Sequence, residues 1–439
     1  MNNFIYETPT KVYFGRGEAD HVGAALREFA PKKVLILYGG ASAEKSGLLA
    51  RVERQLTEEG IAYVAFGGIH ANPALDKVRE GIALCLAEGV DFVLAVGGGS
   101  VLDTAKDIAN GAANPETDVW DFSLGKAQPK KTLRKGCVLT LSAAGSEMSN
   151  SCVITNEDTG DKRGYGSPKN RFDFAIEDPT LTFSVSPYQT ACGAVDIAMH
   201  TIERFFNVGE DTYLTDALAI GVLRSVRKAG DDCLADPENY EARANMMWAS
   251  SLAHNGLTQC GRDFELTVHQ FEHEVSGLYP SVAHGAGLAA LWCSWARYVY
   301  SANVPRFVQY FHEVWDLPVD YEHPEKTVEE GIDLQEAYYK RIGMPTTLAE
   351  LGVQEEDLEL LADKCSRGKT RSLKGYKPLP YEDILSVYRM ALHGSKKPLP
   401  PKEDYPFRRP RTDTPMLCVY AGPDFFRKQR EKNEGKREA

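Results

Sequence analysis

Three histidines, His269, His273 and His284, fall within sixteen residues of a chain that holds only ten. His269 and His273 are four residues apart, so on a helix they share one face. The same spacing recurs in Asp196-Ile-Ala-Met-His200. A solitary histidine is usually a cap or a satisfied surface group. Imidazoles and a carboxylate contributed by facing helices are a way to hold a divalent ion or to relay a proton. One carboxylate and three imidazoles around a dication leave one net positive charge and room for a substrate oxygen. The stretch His269-Gln-Phe-Glu-His273 is not the HExxH of metalloproteases, because its Glu is fourth and not second. A closed structural zinc module is disfavoured too, since such sites use Cys/His sets at shorter spacings.

A second chemical signal is Gly97-Gly98-Gly99-Ser100, between the apolar run Asp91–Val96 and a helical pattern from Val101. Glycines let backbone approach a phosphate, and the free N–H groups of a helix start attract negative charge. Ser100 and Asp103 have the spacing of a capping box, with Asp in place of Glu. The pattern is not GxGxxG, and its bland alternative is a tight strand-to-helix turn. A similar turn, Gly39-Gly40-Ala41-Ser42, follows the run Lys33–Tyr38. Two glycine-rich strand ends on one parallel sheet can form a shared crevice for a dinucleotide.

The elements that must position these residues change character along the chain. Strand-like runs at 33–38, 61–66, 91–96, 137–141 and 174–176 alternate with helical spacing at 48–56 and 74–88, which predicts βαβ units and a mostly parallel sheet. From Pro187, segments 188–206, 215–229 and 240–258 carry apolar residues three and four apart, the pattern of an all-helical region. The expected organisation is an α/β dinucleotide-binding domain over 1–186 and an all-α metal-binding domain over 187–392. Residues 393–439, which hold seven of the 23 prolines, are expected to be an extended or partly disordered tail. That tail is net +5, so the rest of the chain carries −17 of the total −12.

This acidity argues against nucleic-acid binding, which needs a basic surface. No apolar run approaches the span of a bilayer, and the first residues lack the order of a signal peptide. Nine scattered cysteines without a CxxC pair make a poor disulfide framework. A reducing cytoplasm is the expected location.

The chain resembles the iron-containing (type III) alcohol dehydrogenases, most closely their butanol dehydrogenase branch. The resemblance rests on Gly97-Gly-Gly-Ser-Val-Leu-Asp-Thr-Ala-Lys106, Thr140-Leu-Ser-Ala-Ala-Gly-Ser-Glu147, Gly193-Ala-Val-Asp-Ile-Ala-Met-His200-Thr-Ile-Glu203 and the stretch His269 to Gly287, in that order. It spans Phe4 to Leu392. It implies an active site in the cleft between a nucleotide domain and a helical domain. It further implies a homodimer and hydride transfer between a nicotinamide cofactor and a small alcohol or aldehyde, such as butanol and butanal. Asp196, His200, His269 and His284 then look like ligands of Fe2+, although Zn2+ and other divalent ions suit the same donors.

By the same resemblance His273 lies near the nicotinamide as a proton relay and not a ligand. Gly97, Gly98, Gly99 and Ser100 hold the pyrophosphate, and Asp103 lies near the nicotinamide end. Thr140, Ser142, Ser149 and Lys162 line the cofactor. NADP is favoured over NAD because the turn Gly39-Gly40-Ala41-Ser42 has no Asp to pair with a ribose 2′-OH, and Lys45 is close. The interval from His273 to His284 is one residue longer than the family pattern, and the tail after Leu392 has no counterpart in it. Two alternatives stand beside this reading. One is a glycerol-type or sugar-phosphate enzyme of the same superfamily, disfavoured because residues 190–204 and 265–290 supply only Arg204 as an anion partner. The other is a non-catalytic nucleotide- or metal-binding protein on the same fold.

Overall fold

The computed structural model describes residues 1–206 and 212–394, with backbone alone at Ala41 and Ser42. Apart from its first two residues, the expected tail lies outside the described residues.

Six strands, β1 (Lys11–Phe14), β2 (Lys33–Tyr38), β3 (Ala62–Phe66), β4 (Phe92–Gly97), β5 (Arg134–Leu139) and β8 (Phe174–Glu177), form one parallel sheet in the order β1-β8-β5-β4-β2-β3. Side chains alternate between two covered faces, which is why the central strands read as continuous apolar runs. Leu35, Leu37, Val93, Ala95, Cys137 and Ala175 share one core with the helices Leu75–Glu88 and Gly99–Ala113. Val34, Ile36, Leu94, Val96, Val138 and Ile176 share the other with the helices Val22–Arg27 and Leu48–Glu58. Every interior helix of this half therefore buries its apolar stripe on the sheet.

The polarity of the sheet decides where the site falls. β3 lies on one side of β2 and β4 on the other, so the direction of winding reverses between β2 and β4. At such a reversal the loops leaving adjacent strand ends diverge and open a crevice. Gly39-Gly40 leaves β2 there and Gly97-Gly98-Gly99 leaves β4, with Tyr38 in register with Val96.

An antiparallel hairpin, β6 (Ser151–Asn156) and β7 (Asp161–Gly166), folds beside this opening. Its polar, Gly-containing second strand carries little apolar alternation, so the sequence reading passed over it. β1 escaped notice for a similar reason, being a four-residue edge strand.

From Pro187 the described chain is helical. The helix Pro187–Phe205 begins on Ser186, whose Oγ accepts from the Gln189 N–H at 3.3 Å, with Pro187 at its first position. It packs against the helices Tyr213–Ala235 and Tyr240–His254 through Ala194, Ile197, Val226 and Met246. The helices Thr267–Leu278 and His284–Val299 follow. Among the described residues, no helix is long and apolar enough to cross a membrane.

Candidate metal and cofactor site

Asp196 and His200 lie one turn apart on the helix Pro187–Phe205, and both are buried. His269 comes from the first turn of the helix Thr267–Leu278, and His284 is the first residue of the helix His284–Val299. The three helices bring three imidazole Nε2 atoms around one carboxylate oxygen. Asp196 Oδ1 is 3.4 Å from His200, 3.6 Å from His269 and 3.8 Å from His284.

Donor atoms each about 2.1 Å from a shared tetrahedral centre stand about 3.4 Å apart, so these separations fit one ion. Asp196 Oδ1 and His269 Nε2 are buried yet have no hydrogen-bond partner among the described residues. Buried polar atoms without partners are costly, and a cation is the partner that suits lone pairs converging from four sides. The donor atoms of Asp196, His200 and His269 also group mutually within 4.8 Å. His284 is the outermost of the four and faces the cleft. It belongs as well to a second group with Glu272 and His273.

That second group is occupied differently. Glu272 accepts from His284 Nδ1 and from Lys162 Nζ at 3.4 Å, so its carboxylate orients a histidine from behind. Glu203 does the same for His269, accepting from its Nδ1, and also caps its helix by accepting from the backbone N–H of Val268. A carboxylate on Nδ1–H fixes the tautomer with its lone pair on Nε2 and raises that atom's basicity. Burial depresses the His269 pKa, but Glu203 and Asp196 outweigh it and lift the pKa to about 9. These carboxylates gather positive charge at this point, and a metal ion competes with the proton for the same lone pair.

His200 differs, because burial and then His254 and His269 drive its pKa well below the usual range, leaving the ring neutral. Its ring centre lies 3.9 Å from that of His254, the two rings tilted by 45°, and the His254 Nδ1 sits 2.8 Å from the Ala144 carbonyl oxygen.

Two glycines permit this convergence. A Cβ on Gly285 would stand 2.2 Å from the Cys192 carbonyl oxygen, so only glycine lets the helix carrying His284 approach the helix carrying Asp196. A Cβ on Gly193 would stand 2.3 Å from the Ser142 carbonyl oxygen, where the Pro187–Phe205 helix meets the loop after β5.

The cluster of Asp196 and the three imidazoles lies on a cleft of about 560 Å³ lined from both halves of the chain, by Asn72, Ser100 and Asp103 from the first and Asp196, His269 and His273 from the second. Of the residues expected to hold the cofactor, Gly99, Ser100, Asp103, Ser149 and Lys162 line it. Gly97 and Gly98 stand behind, where a Cβ would come 2.5 Å from the Val101 side chain and 3.1 Å from Leu141. They are the tight packing that seats the helix start.

The capping box is not formed. The N-cap is Gly98, the helix starts at Gly99, and no side chain caps it. Ser100 is already inside the first turn, so its hydroxyl cannot reach the N–H three residues on. The uncapped N-terminus is left free for an anion. Asp103 is a hub of the cleft floor. It accepts from Ser146 Oγ at 2.6 Å, Lys106 Nζ at 3.3 Å and the Val153 N–H at 3.0 Å.

Ser142 turns away from the cleft, its Oγ buried beside Arg243 and Met246 without a hydrogen-bond partner among the described residues. Thr140 does not line the cleft, and its N–H donates to the Gly97 carbonyl oxygen. Gly39 and Gly40 sit at the end of β2 outside the lining. The Ser42 side chain lies outside the described structure.

His273 lines the cleft one turn beyond His269, its ring centre 5.6 Å from that of His284. Glu203, Glu272 and His254 escaped the sequence reading. Glu203 was within reach of it, since 196, 200 and 203 are i, i+4 and i+7 on one helical face. Arg204, the one cation considered near the site, points elsewhere. Its guanidinium donates to the His200 carbonyl oxygen at 2.6 Å and to Gln259 at 3.1 Å.

A parallel sheet with an open helix start at its winding reversal, facing buried imidazoles and a carboxylate across a cleft, defines a two-part, metal-dependent nicotinamide oxidoreductase. Comparison with known proteins gives the family. The model for iron-containing alcohol dehydrogenases matches residues 9–179, and that for the C-terminal region of the Fe-containing alcohol dehydrogenase family matches residues 190–392. The chain belongs to the iron-containing alcohol dehydrogenase family.

It is 38% identical over 390 residues to NADH-dependent butanol dehydrogenase A of Clostridium acetobutylicum, covering 89% of this chain and 99% of that one. It is 35% identical to the NADPH-dependent aldehyde reductase YqhD of Escherichia coli, covering 83% and 93%. The crystal structure of NADH-dependent butanol dehydrogenase A from Thermotoga maritima superposes with a TM-score of 0.85 at 36% identity, covering 89% of this chain and 99% of that one.

Proposed function

We propose that the chain interconverts short- to medium-chain primary alcohols and aldehydes with a nicotinamide dinucleotide, residues 1–186 carrying the nucleotide and 187–392 a divalent ion on Asp196, His200, His269 and His284. The observation that carries this is the convergence of three Nε2 atoms within 3.8 Å of Asp196 Oδ1, on the cleft that the Gly99 helix start also lines. When bound, the ion supplies Lewis acidity toward the substrate oxygen and the nicotinamide supplies the hydride.

The chain's own residues do the rest. Glu203 and Glu272 hold His269 and His284 in one tautomer. The free N–H groups at Gly99 and Ser100 receive the pyrophosphate. His273 stands where it can pass the hydroxyl proton between substrate and solvent. Phe264 and Leu266 line the cleft and accommodate a carbon chain, whereas Phe271 is core, its ring 5.0 Å from Tyr388. The comparisons do not favour the sugar-phosphate alternative.

Iron(II) is the ion proposed, on the family's name, since the donors alone suit several divalent metals. NADP is the cofactor proposed. The turn Gly39–Lys45 has Glu44 as its sole carboxylate, and the Tyr38 hydroxyl engages it, leaving Lys45 exposed for a 2′-phosphate. The relatives carry names of both cofactors, so the turn itself supports this choice. A dimer in the cytoplasm is the accompanying proposal.

The test is metal analysis after anaerobic purification, then an aldehyde panel with NADH and NADPH on ferrous-loaded protein. Aldehyde-dependent oxidation, faster with NADPH, is expected. No oxidation across several chain lengths would overturn the function, and equal or faster rates with NADH would overturn the cofactor choice alone.

A further inference from the structure

The cleft has a basic wall that the segments nearest the metal do not provide. Arg163 from β7, and Arg367 and Arg371 from the loop after the helix Leu358–Cys365, line it together with Gln270, His273 and Glu274. Arg163 is neutralised, pairing with Glu274 at 3.1 Å and Asp161 at 3.2 Å. Lys364 takes up Asp161 as well, at 2.8 Å. Arg367 and Arg371 have no acidic partner within ion-pair distance among the described residues. Four cations against Asp161 and Glu274 leave two positive charges facing the cleft.

This wall is held in place. Arg371 is half-buried, and its Nε donates to the Cys365 carbonyl oxygen at 2.9 Å, which fixes one edge of the guanidinium. Its two terminal nitrogens have no hydrogen-bond partner among the described residues. Arg367, Gly368 and Lys369 all have positive φ, 52°, 64° and 62°, a conformation that non-glycine residues rarely adopt. The loop closes on itself through the N–H of Arg371 to Ser366 O at 3.0 Å and of Gly368 to Asp363 O at 2.8 Å. Lys364 ties it to the hairpin through the Thr159 carbonyl oxygen at 3.0 Å. Burial, and after it the neighbouring Arg367, lowers the Arg371 pKa. Strained backbone that fixes an unpaired cation toward a cleft points to a ligand.

The position along the cleft indicates which ligand. Glu274, which anchors Arg163, is five residues beyond His269, about 7.5 Å of helix rise from the metal end. The pyrophosphate seat proposed above, the Gly99 helix start, is built from other residues of the cleft lining.

We propose that Arg371, with Arg367 beside it, is an anion subsite for the far end of the substrate, and that the preferred aldehyde carries a terminal carboxylate. This rests on the hydride-transfer reading above. A planar guanidinium with both terminal nitrogens free matches a carboxylate in a bidentate pair.

The test compares kcat/KM for butanal and 4-oxobutanoate, equal in length and differing by the terminal carboxylate, with NADH and with NADPH. The proteins are metal-loaded wild type, R371M and R367M. Wild type is expected to favour 4-oxobutanoate. R371M is expected to lower the 4-oxobutanoate-to-butanal ratio about 10- to 100-fold, the loss of one charge-assisted pair, mainly through KM. Succinate should compete with butanal in wild type and compete less in R371M. If R371M does not fold, R367M carries the test, since the Arg367 side chain makes no hydrogen bond among the described residues.

Butanal turnover with no advantage for 4-oxobutanoate overturns the subsite alone. A rise in the KM for NADPH, with the aldehyde ratio unchanged, overturns it in favour of a cofactor phosphate. No turnover of any aldehyde overturns the hydride-transfer reading, and the subsite with it.

Discussion

At the scale of residues, the site divides its histidines by what stands behind each ring. His269 and His284 have carboxylates on Nδ1, from Glu203 and Glu272, and point Nε2 at Asp196. His273 shares their surroundings without such a partner among the described residues. Its pKa is held well below the ordinary range by burial and then by Lys162 and His284, so the ring is neutral and keeps one nitrogen lone pair as a hydrogen-bond acceptor. Replacing it should therefore separate chemistry from metal binding. H273Q is expected to keep its full metal content and to lose about 10²- to 10⁴-fold in kcat. Metal analysis beside steady-state kinetics checks this, and a variant purified without metal would make His273 a ligand. E203Q should retain the fold and weaken metal affinity about 10- to 100-fold, because its amide orients His269 less well. Chelator competition reads that affinity, and an unchanged value would leave Glu203 as a helix cap only.

At the scale of elements, the site depends on how closely helices approach. Gly285 is the contact point, with the Cys192 carbonyl oxygen only 2.2 Å from where a Cβ would be. G285A must push the two helices apart, and His284 is the adjacent residue. The expected outcome is a stability loss of about 1–3 kcal/mol from overpacking. Metal affinity should fall at the same time, because His284 moves from Asp196 while the other donors stay. Urea denaturation with and without metal measures both quantities. An undiminished affinity in a destabilised variant would show that His284 does not contribute to binding. The same scale explains the turn at Gly97-Gly98-Gly99, where close packing against Val101 and Leu141 leaves the helix start uncapped and open.

At the scale of the whole molecule, a helix packed on the parallel sheet carries a fully buried carboxyl group. Asp107 lies inside the Gly99–Ala113 helix, fully buried, and accepts from the Tyr165 hydroxyl at 2.7 Å. Burial lifts its pKa from 3.8 to about 7. A carboxyl with a raised folded pKa contributes most below its unfolded pKa, and the contribution is lost as pH rises through the folded value. Stability should thus fall between about pH 4 and pH 7, by up to about 4 kcal/mol from this group. D107N should flatten that slope, as measured by denaturant midpoints across the window. A slope that survives D107N would assign it elsewhere, the buried Glu147 and Glu177 bridged by Ser251 being the next place to look.

Much of this was legible in the chain alone. Helical periodicity paired Asp196 with His200 and His269 with His273, because i and i+4 are neighbours whatever a helix packs against. Apolar runs between glycine turns marked the five interior or long strands, because both faces of a parallel sheet are covered. Local chemistry of that kind is set by bonds and spacing, which a sequence carries in full.

Tertiary structure decided what depends on segments far apart. Glu272 turns away from its neighbour His273 to reach His284, and Ser142 turns out of the cleft. Arg204 bonds back to its own helix, while Arg163, Arg367 and Arg371 arrive at the cleft from segments some two hundred residues apart. The direction in which a side chain points, and what waits for it there, follows from how helices and sheet pack, and packing is a property of the whole chain.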